Sequence, residues 1–316
     1  ILIFSTLGVL VSTFLVGTIL YFVLPLIGLP VDYIYCLLFG SLISPTDPIA
    51  VLGILKKAGV PKKLEIKIVG ESLFNDGIGV VVFLTLFEIA NLGLDAIEVG
   101  HIVELFAVEV LGGLALGAAL GWTAFHFMKR IDSYEIEIII TLALVMMGTV
   151  IAHHFHLSAP LAMVAAGLAM GNPRLRAGTM SHEVEVYIDK FWEVVDMLLN
   201  TVLFVLIGME IVVLVYDAKY LLAGLLAIPL VLLSRYLSLL LPVNFFKKRL
   251  NFVPNTSIIM TWGGLRGGIS IALALGLAEN MHRDLFLFIT YIIVVFSVLV
   301  QGLTIEKVVK RFYSAL

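Results

Sequence analysis

Three stretches of this chain set ionisable side chains inside otherwise apolar sequence. The first, Ser44-Pro45-Thr46-Asp47-Pro48, puts an acid between two prolines. Each proline removes a backbone donor and disfavours helical geometry in the residue before it. The helix is therefore expected to unwind around Thr46 and Asp47, leaving free carbonyls beside a carboxylate. An ordinary proline kink would not account for the aspartate. The second stretch is Gly70-Glu71-Ser72-Leu73-Phe74-Asn75-Asp76-Gly77-Ile78-Gly79. Glu71 and Asn75 stand one helical turn apart, as do Ser72 and Asp76, so four oxygen-bearing side chains line adjacent stripes of one helix. Gly77 and Gly79 let another backbone come close. Carboxylate, hydroxyl and carbonyl oxygens are what hard cations prefer. Asp76 in such a setting can hold a proton or a cation but not both, the minimum equipment for exchange, whereas Glu71 reads as a tie between helices. The third stretch, Thr261-Trp262-Gly263-Gly264-Leu265-Arg266-Gly267-Gly268, surrounds an arginine with four glycines and should break a helix at its middle. Arg266 needs a carboxylate partner, and Glu71 is the expected one. Arg235, within Leu233-Ser234-Arg235-Tyr236, is a second cation too far from either end of its segment to reach water easily.

The elements that carry these residues must cross a bilayer. Of 316 residues 61% are hydrophobic and 14% charged, with mean hydropathy +1.10, against about 25% charged in a soluble domain. Ten apolar segments can be marked, at about 4–27, 32–55, 64–93, 101–128, 134–156, 158–172, 188–215, 219–243, 255–278 and 284–305, most of them near the roughly 20 residues that a span needs. The fold class expected is an all-α polytopic membrane protein. A single cysteine, Cys36, excludes an internal disulfide framework. The chain opens directly in apolar sequence at Ile1, which suggests a trimmed N-terminus.

Charge placement supports the ten-span layout. With alternating spans, sixteen of the twenty basic residues fall on one side, Lys219 and Arg283 on the other, and Arg235 and Arg266 within spans. The positive-inside rule makes the first side, with both ends of the chain, cytoplasmic. Charge at bilayer depth is costly and marks pathways or relays by default. The two interrupted spans are seven apart in order, so they run in opposite directions, as in inverted repeats whose discontinuous helices meet at a midplane site. Asp47 would then face exposed helix N-termini and Arg266 exposed C-termini. His153, His154 and His156 fall at an outer loop, and Met146, Met147 and Met163 read as packing residues. Nothing in the spacing of Glu104, Glu109, Asp196 or Glu210 argues a role.

At SPTDP (Ser44 to Pro48), GESLFNDG (Gly70 to Gly77) and GGLRGG (Gly263 to Gly268) the chain resembles the monovalent cation:proton antiporters of the NhaP/NHE type. The resemblance runs along the whole chain, whose ten spans are similar to the last ten of the family's thirteen. It implies that Asp76 is the shared Na⁺/H⁺ carboxylate, that Thr46 (by its carbonyl), Asp47 and Ser72 complete the Na⁺ site, and that Glu71 pairs with Arg266. Asn75 before Asp76 resembles the electroneutral branch, and Arg235 would support the site. An acid that the family supplies from an earlier helix cannot be placed in this sequence, which leaves the coordination shell incomplete. The resemblance further implies a mobile core of 1–93 and 219–308, a scaffold and homodimer-forming part at 101–216, a plasma-membrane location, Na⁺ (or Li⁺) and H⁺ as the only ligands besides lipid, no cofactor and no nucleic acid. Rival classes are a K⁺/H⁺ exchanger, a cation channel, and an intramembrane hydrolase in which Asp47 and Asp76 act as paired acids. A channel would favour rings of ligands about a symmetric pore.

Overall fold

The computed structural model describes residues 2–47, 62–93, 99–131, 133–172, 182–210, 216–250 and 255–313. Pro48, Lys56, Lys57, Arg174 and Arg176 lie outside them. The described residues are helical almost throughout, with one isolated antiparallel bridge, between Asp47 and Leu265. Six helices are long and apolar enough to span a membrane, and two shorter ones, Tyr33–Ile43 and Ala159–Met170, are equally apolar. Many large apolar side chains on these helices are exposed, such as Phe22, Leu111 and Met146, as surfaces that face lipid require. The chain is a multi-pass integral membrane protein.

It divides into two compact units. The first comprises Ile1–Ile97 with Glu210–Leu316, and the second Glu98–Met209. In the first unit α1 (Leu2–Val23) ends in a 3₁₀ turn, Leu24–Ile27, closed by Gly28 at φ 76. It packs on α2 (Tyr33–Ile43), α3 (Lys62–Leu92) and, from much later in the chain, α8 (Ala218–Leu250). Gly40 makes the α1–α2 contact close, because a Cβ there would strike the Thr13 carbonyl. The α9 (Thr256–Trp262) and α10 (Gly268–Leu275) helices are the halves of one interrupted segment. The last segment is α11 (Arg283–Phe296), a π turn at Ser297–Gln301, and α12 (Gly302–Tyr313). Leu239, Ile259, Met260, Leu265, Ile305 and Val309 form a core where α8, α9 and α12 meet. At another place the connections after α1, at the start of α8 and before α11 converge on a cavity of about 340 Å³, lined by residues such as Pro30, Tyr220, Glu279 and Asp284.

The second unit consists of α4 (Val99–Met128), α5 (Tyr134–His154), α6 (Ala159–Met170) and α7 (His182–Glu210). Its tightest seam joins α4 to α6. A Cβ at Gly113 would lie 2.7 Å from the Ser158 carbonyl oxygen and one at Gly121 2.9 Å from that of Ala166, with Gly117 closer still to Ala162. Three glycines four apart thus bring two backbones together, the small-residue packing that replaces the hydrophobic drive between helices in lipid. Ser158 caps α6 by accepting from Leu161 N–H. Met128, Val184 and Ile188 tie α7 to this unit, and Trp192 donates to Thr141 at 3.1 Å.

Candidate functional site

Helix α2 stops at Ile43; Ser44, although it precedes Pro45, keeps right-handed helical angles (φ −74, ψ −33), and the chain leaves the helix over Pro45 to Asp47. The Gly263–Gly267 linker between α9 and α10 meets this stretch. Asp47 N–H donates to the Leu265 carbonyl at 2.7 Å, closing the antiparallel bridge. Arg266, 3% exposed, turns its guanidinium to the end of α2, where Nη1 donates to the carbonyls of Ser44 and, at 2.9 Å, Pro45. Carbonyls left without partners at a helix C-terminus carry partial negative charge, and a cation satisfies them. Asp47 lies by the other break: a Cβ at Gly267, the residue before α10, would come within 2.8 Å of its Oδ2.

From α3 come the remaining groups. Ser72 and Thr46 share a hydrogen bond at 3.1 Å. Asn75 donates from Nδ2 to Thr46 Oγ1 and to Glu71 Oε1, both at 3.2 Å. Because an ionised Glu71 can only accept, this contact fixes which end of the amide is nitrogen. Ser44, Thr46, Ser72 and Asn75 are all at most 2% exposed. Glu71 is held bidentately by Arg235 of α8, at 2.8 Å from Nη1 to Oε1 and 2.6 Å from Nη2 to Oε2. The expected pairing of Glu71 with Arg266 is therefore corrected: Glu71 takes Arg235, and Arg266 binds backbone carbonyls. The physical reason is that the end of α2 offers Arg266 carbonyl acceptors without intrahelical partners, which leaves the guanidinium of Arg235 to hold Glu71 with two parallel bonds.

Asp76 is half-buried, one turn beyond Ser72. Its buried Oδ1 and the Oδ1 of Asn75 have no hydrogen-bond partner among the described residues. The charges that act on Asp76 are Asp47, Glu71 and Arg266. Together with Arg235, the site has three carboxylates and two guanidiniums among the described residues. Fully ionised, these leave one negative charge, which a single proton or monovalent cation would cancel. The structure brings Thr46, Asp47, Glu71, Ser72, Asn75, Arg235 and Arg266 together within the first unit, with Asp76 in electrostatic reach of Asp47, Glu71 and Arg266. Sequence reasoning passed over Ser297, whose Oγ accepts from Arg266 N–H at 2.8 Å, and Gln301, which donates to the Trp262 carbonyl at 3.1 Å. The available signal was two polar side chains four apart in the otherwise apolar Ser297-Val298-Leu299-Val300-Gln301.

Fold and site together define an integral membrane protein with a buried oxygen-rich centre, built where the end of one helix meets the interruption of another. The chain belongs to the family described as "Sodium/hydrogen exchanger, transmembrane", whose profile matches residues 1–311. It is 49% identical over 314 residues to the Na⁺/H⁺ antiporter NhaP of Pseudomonas aeruginosa, covering 98% of this chain and 74% of that protein. The Na⁺/H⁺ antiporter NhaH of Halobacillus dabanensis is 35% identical over 313 residues, covering 96% and 74%. Among solved structures, the sodium proton antiporter MjNhaP1 of Methanocaldococcus jannaschii superposes with a TM-score of 0.77 at 20% identity, over 98% of this chain and 77% of that one. This last likeness establishes the fold. Members of this family are transporters and not enzymes.

Proposed function

We propose that this chain exchanges Na⁺ (or Li⁺) for H⁺ across a membrane, with Asp76 as the carboxylate that binds either ion. The observation that carries this reading is the charge count. Arg235 pairs with Glu71, Arg266 is the second guanidinium acting on Asp76, and the buried Oδ1 of Asp76 faces no donor among the described residues. The Ser72 and Thr46 hydroxyls, the Thr46 carbonyl and Asp47 supply the remaining oxygens for Na⁺. Sodium is preferred over potassium because the similar proteins are named as Na⁺/H⁺ antiporters. Asn75 supports electroneutral exchange: its amide, engaged by Glu71 and Thr46, has no proton to trade.

Alternating access follows from compensation. With Asp76 neutralised by either ion the centre carries no net charge and can shift past a low-dielectric barrier; with Asp76 bare the shift would expose an uncompensated charge. The first unit is the moving part and the second the static one. The exposed apolar stripe of α7, with Met197, Leu198, Val205 and Met209, supports a homodimer seated on the second unit. Ten spans in two inverted repeats, a plasma-membrane location and cytoplasmic ends complete the reading. Convergence of the connections near Pro30, Tyr220 and Glu279 on one cavity supports that sidedness, because all three fall on the side poor in basic residues.

Na⁺ uptake into proteoliposomes across a pH series tests the shared carboxylate. Lowering the pH should raise the apparent KM for Na⁺ with little change in maximal rate near the optimum, and a clamped membrane potential should drive no net exchange. A KM independent of pH would mean separate proton and cation sites.

A further inference from the structure

The segment formed by α11, the π turn and α12 contributes two side chains that the exchange as described does not use. At Ser297–Gln301 its helix widens into one π turn, a feature that tends to occur where function requires it. Ser297 is 0% and Gln301 2% exposed, and both point at the interrupted segment. Ser297 Oγ accepts from the backbone N–H of Arg266. Gln301 Nε2 donates to the carbonyl of Trp262, the last residue of α9. These are backbone groups that a helix break leaves without intrahelical partners. Two further contacts frame them. Trp262 Nε1 donates to Thr304 Oγ1 at 2.9 Å, and a Cβ on Gly302 would sit 3.9 Å from Leu265 Cδ1.

The Gly263–Gly267 linker is therefore held on one side by the π turn and on the other by the Ser44–Asp47 stretch. The second side consists of the Asp47-to-Leu265 bond and the Arg266 bonds to Ser44 and Pro45. A linker with glycine at three of its five positions has little rigidity of its own. Its place relative to Thr46 and Asp47 must come from what grips it.

We infer that Ser297 and Gln301 are positioning residues of the ion site, acting through Leu265 and Arg266 on the backbone around Thr46 and Asp47. This rests on the assignment of the site to Na⁺ and H⁺ made above. A displaced Leu265 carbonyl moves the Asp47 amide, and a displaced Arg266 releases the Ser44 and Pro45 carbonyls, so ion affinity should suffer before the fold does. Simple capping of a broken helix would instead cost stability and leave affinity alone.

The test compares Ser297→Ala, Ser297→Thr and Gln301→Asn in the full purified chain. The readouts are Na⁺ uptake kinetics in proteoliposomes and the shift in melting temperature that added NaCl produces. Ser297→Ala should raise the KM for Na⁺ by about fivefold to tenfold, the loss expected for one buried hydrogen bond, and shrink the Na⁺-dependent shift, with a smaller change in maximal rate. Ser297→Thr keeps the hydroxyl and should restore most of the affinity. Gln301→Asn is one methylene too short to reach the Trp262 carbonyl and should behave like Ser297→Ala; it decides the matter should Ser297→Ala fail to fold. Wild-type KM and Na⁺ shift in Gln301→Asn and in a folded Ser297→Ala would overturn the inference. Asp76→Asn, measured alongside, separates the two levels. A Na⁺ shift that survives Asp76→Asn overturns the ion-site assignment itself, whereas loss there with unchanged Ser297→Ala overturns only the positioning role.

Discussion

Glu71 Oε1 accepts from both Arg235 and Asn75, at 2.8 and 3.2 Å, so one oxygen joins the buried ion pair to the hydroxyls of Thr46 and Ser72. Removing one partner of such a pair leaves the other charge stranded, at a cost of about 3–5 kcal/mol. Glu71→Ala and Arg235→Ala should each lower expression and thermal stability, and the double variant should lose less than the two singles combined. A double-mutant cycle by thermal denaturation checks this, and additive losses would show that the pair is not coupled. Arg266→Ala should couple to Glu71 more weakly. At Asp76 the expectation concerns transport: Asp76→Asn should fold and carry no exchange, because an amide cannot trade a proton for a cation, as Na⁺-driven proton flux would reveal. At this scale residue types and helical spacing marked every acid of the site and both buried arginines. The pairing was not legible, because spacing along one helix gives no distance to a residue more than a hundred positions away. The carbonyls that capture Arg266 appear only once the helix has broken.

The breaks themselves were legible as elements. Proline in one segment and a run of glycine in the other leave the backbone no stable helical path, and the chain leaves its helices at Pro45–Asp47 and at Gly263–Gly267. What could not be read was how closely the neighbours approach. A Cβ at Gly79 would lie 2.5 Å from Pro45 Cγ, so α3 and the unwound stretch touch at a point with no spare volume. Gly79→Ala should push Pro45 away, at a cost of about 1–3 kcal/mol, and reduce Na⁺ affinity. Gly117→Val, in the α4–α6 seam, should destabilise the protein and leave the KM for Na⁺ of the folded fraction unchanged. Thermal melts paired with uptake kinetics distinguish the two. The π turn was invisible in the sequence, since an extra residue in a helical turn has no compositional mark and only the isolated Ser297 and Gln301 hint at it.

The whole molecule is discontinuous along its chain: the first unit is made from both ends of the sequence, with the second inserted between them. Glu71 and Arg235 are therefore 164 residues apart. At roughly 5–20 residues per second of synthesis, the glutamate exists for about 10–30 s before its arginine has been made. During that interval α3 carries an acid at bilayer depth with the second unit already emerging, and water, a proton or the insertion machinery has to accommodate it. Chains arrested before Arg235 should remain open to protease at α3, while chains arrested after α8 has emerged should be protected, a difference that limited proteolysis of stalled nascent chains would report. Assembly of the ion centre is thus ordered in time, and the cell receives a built-in check on completeness: a chain that never reaches α8 keeps an unmatched acid that quality control can recognise.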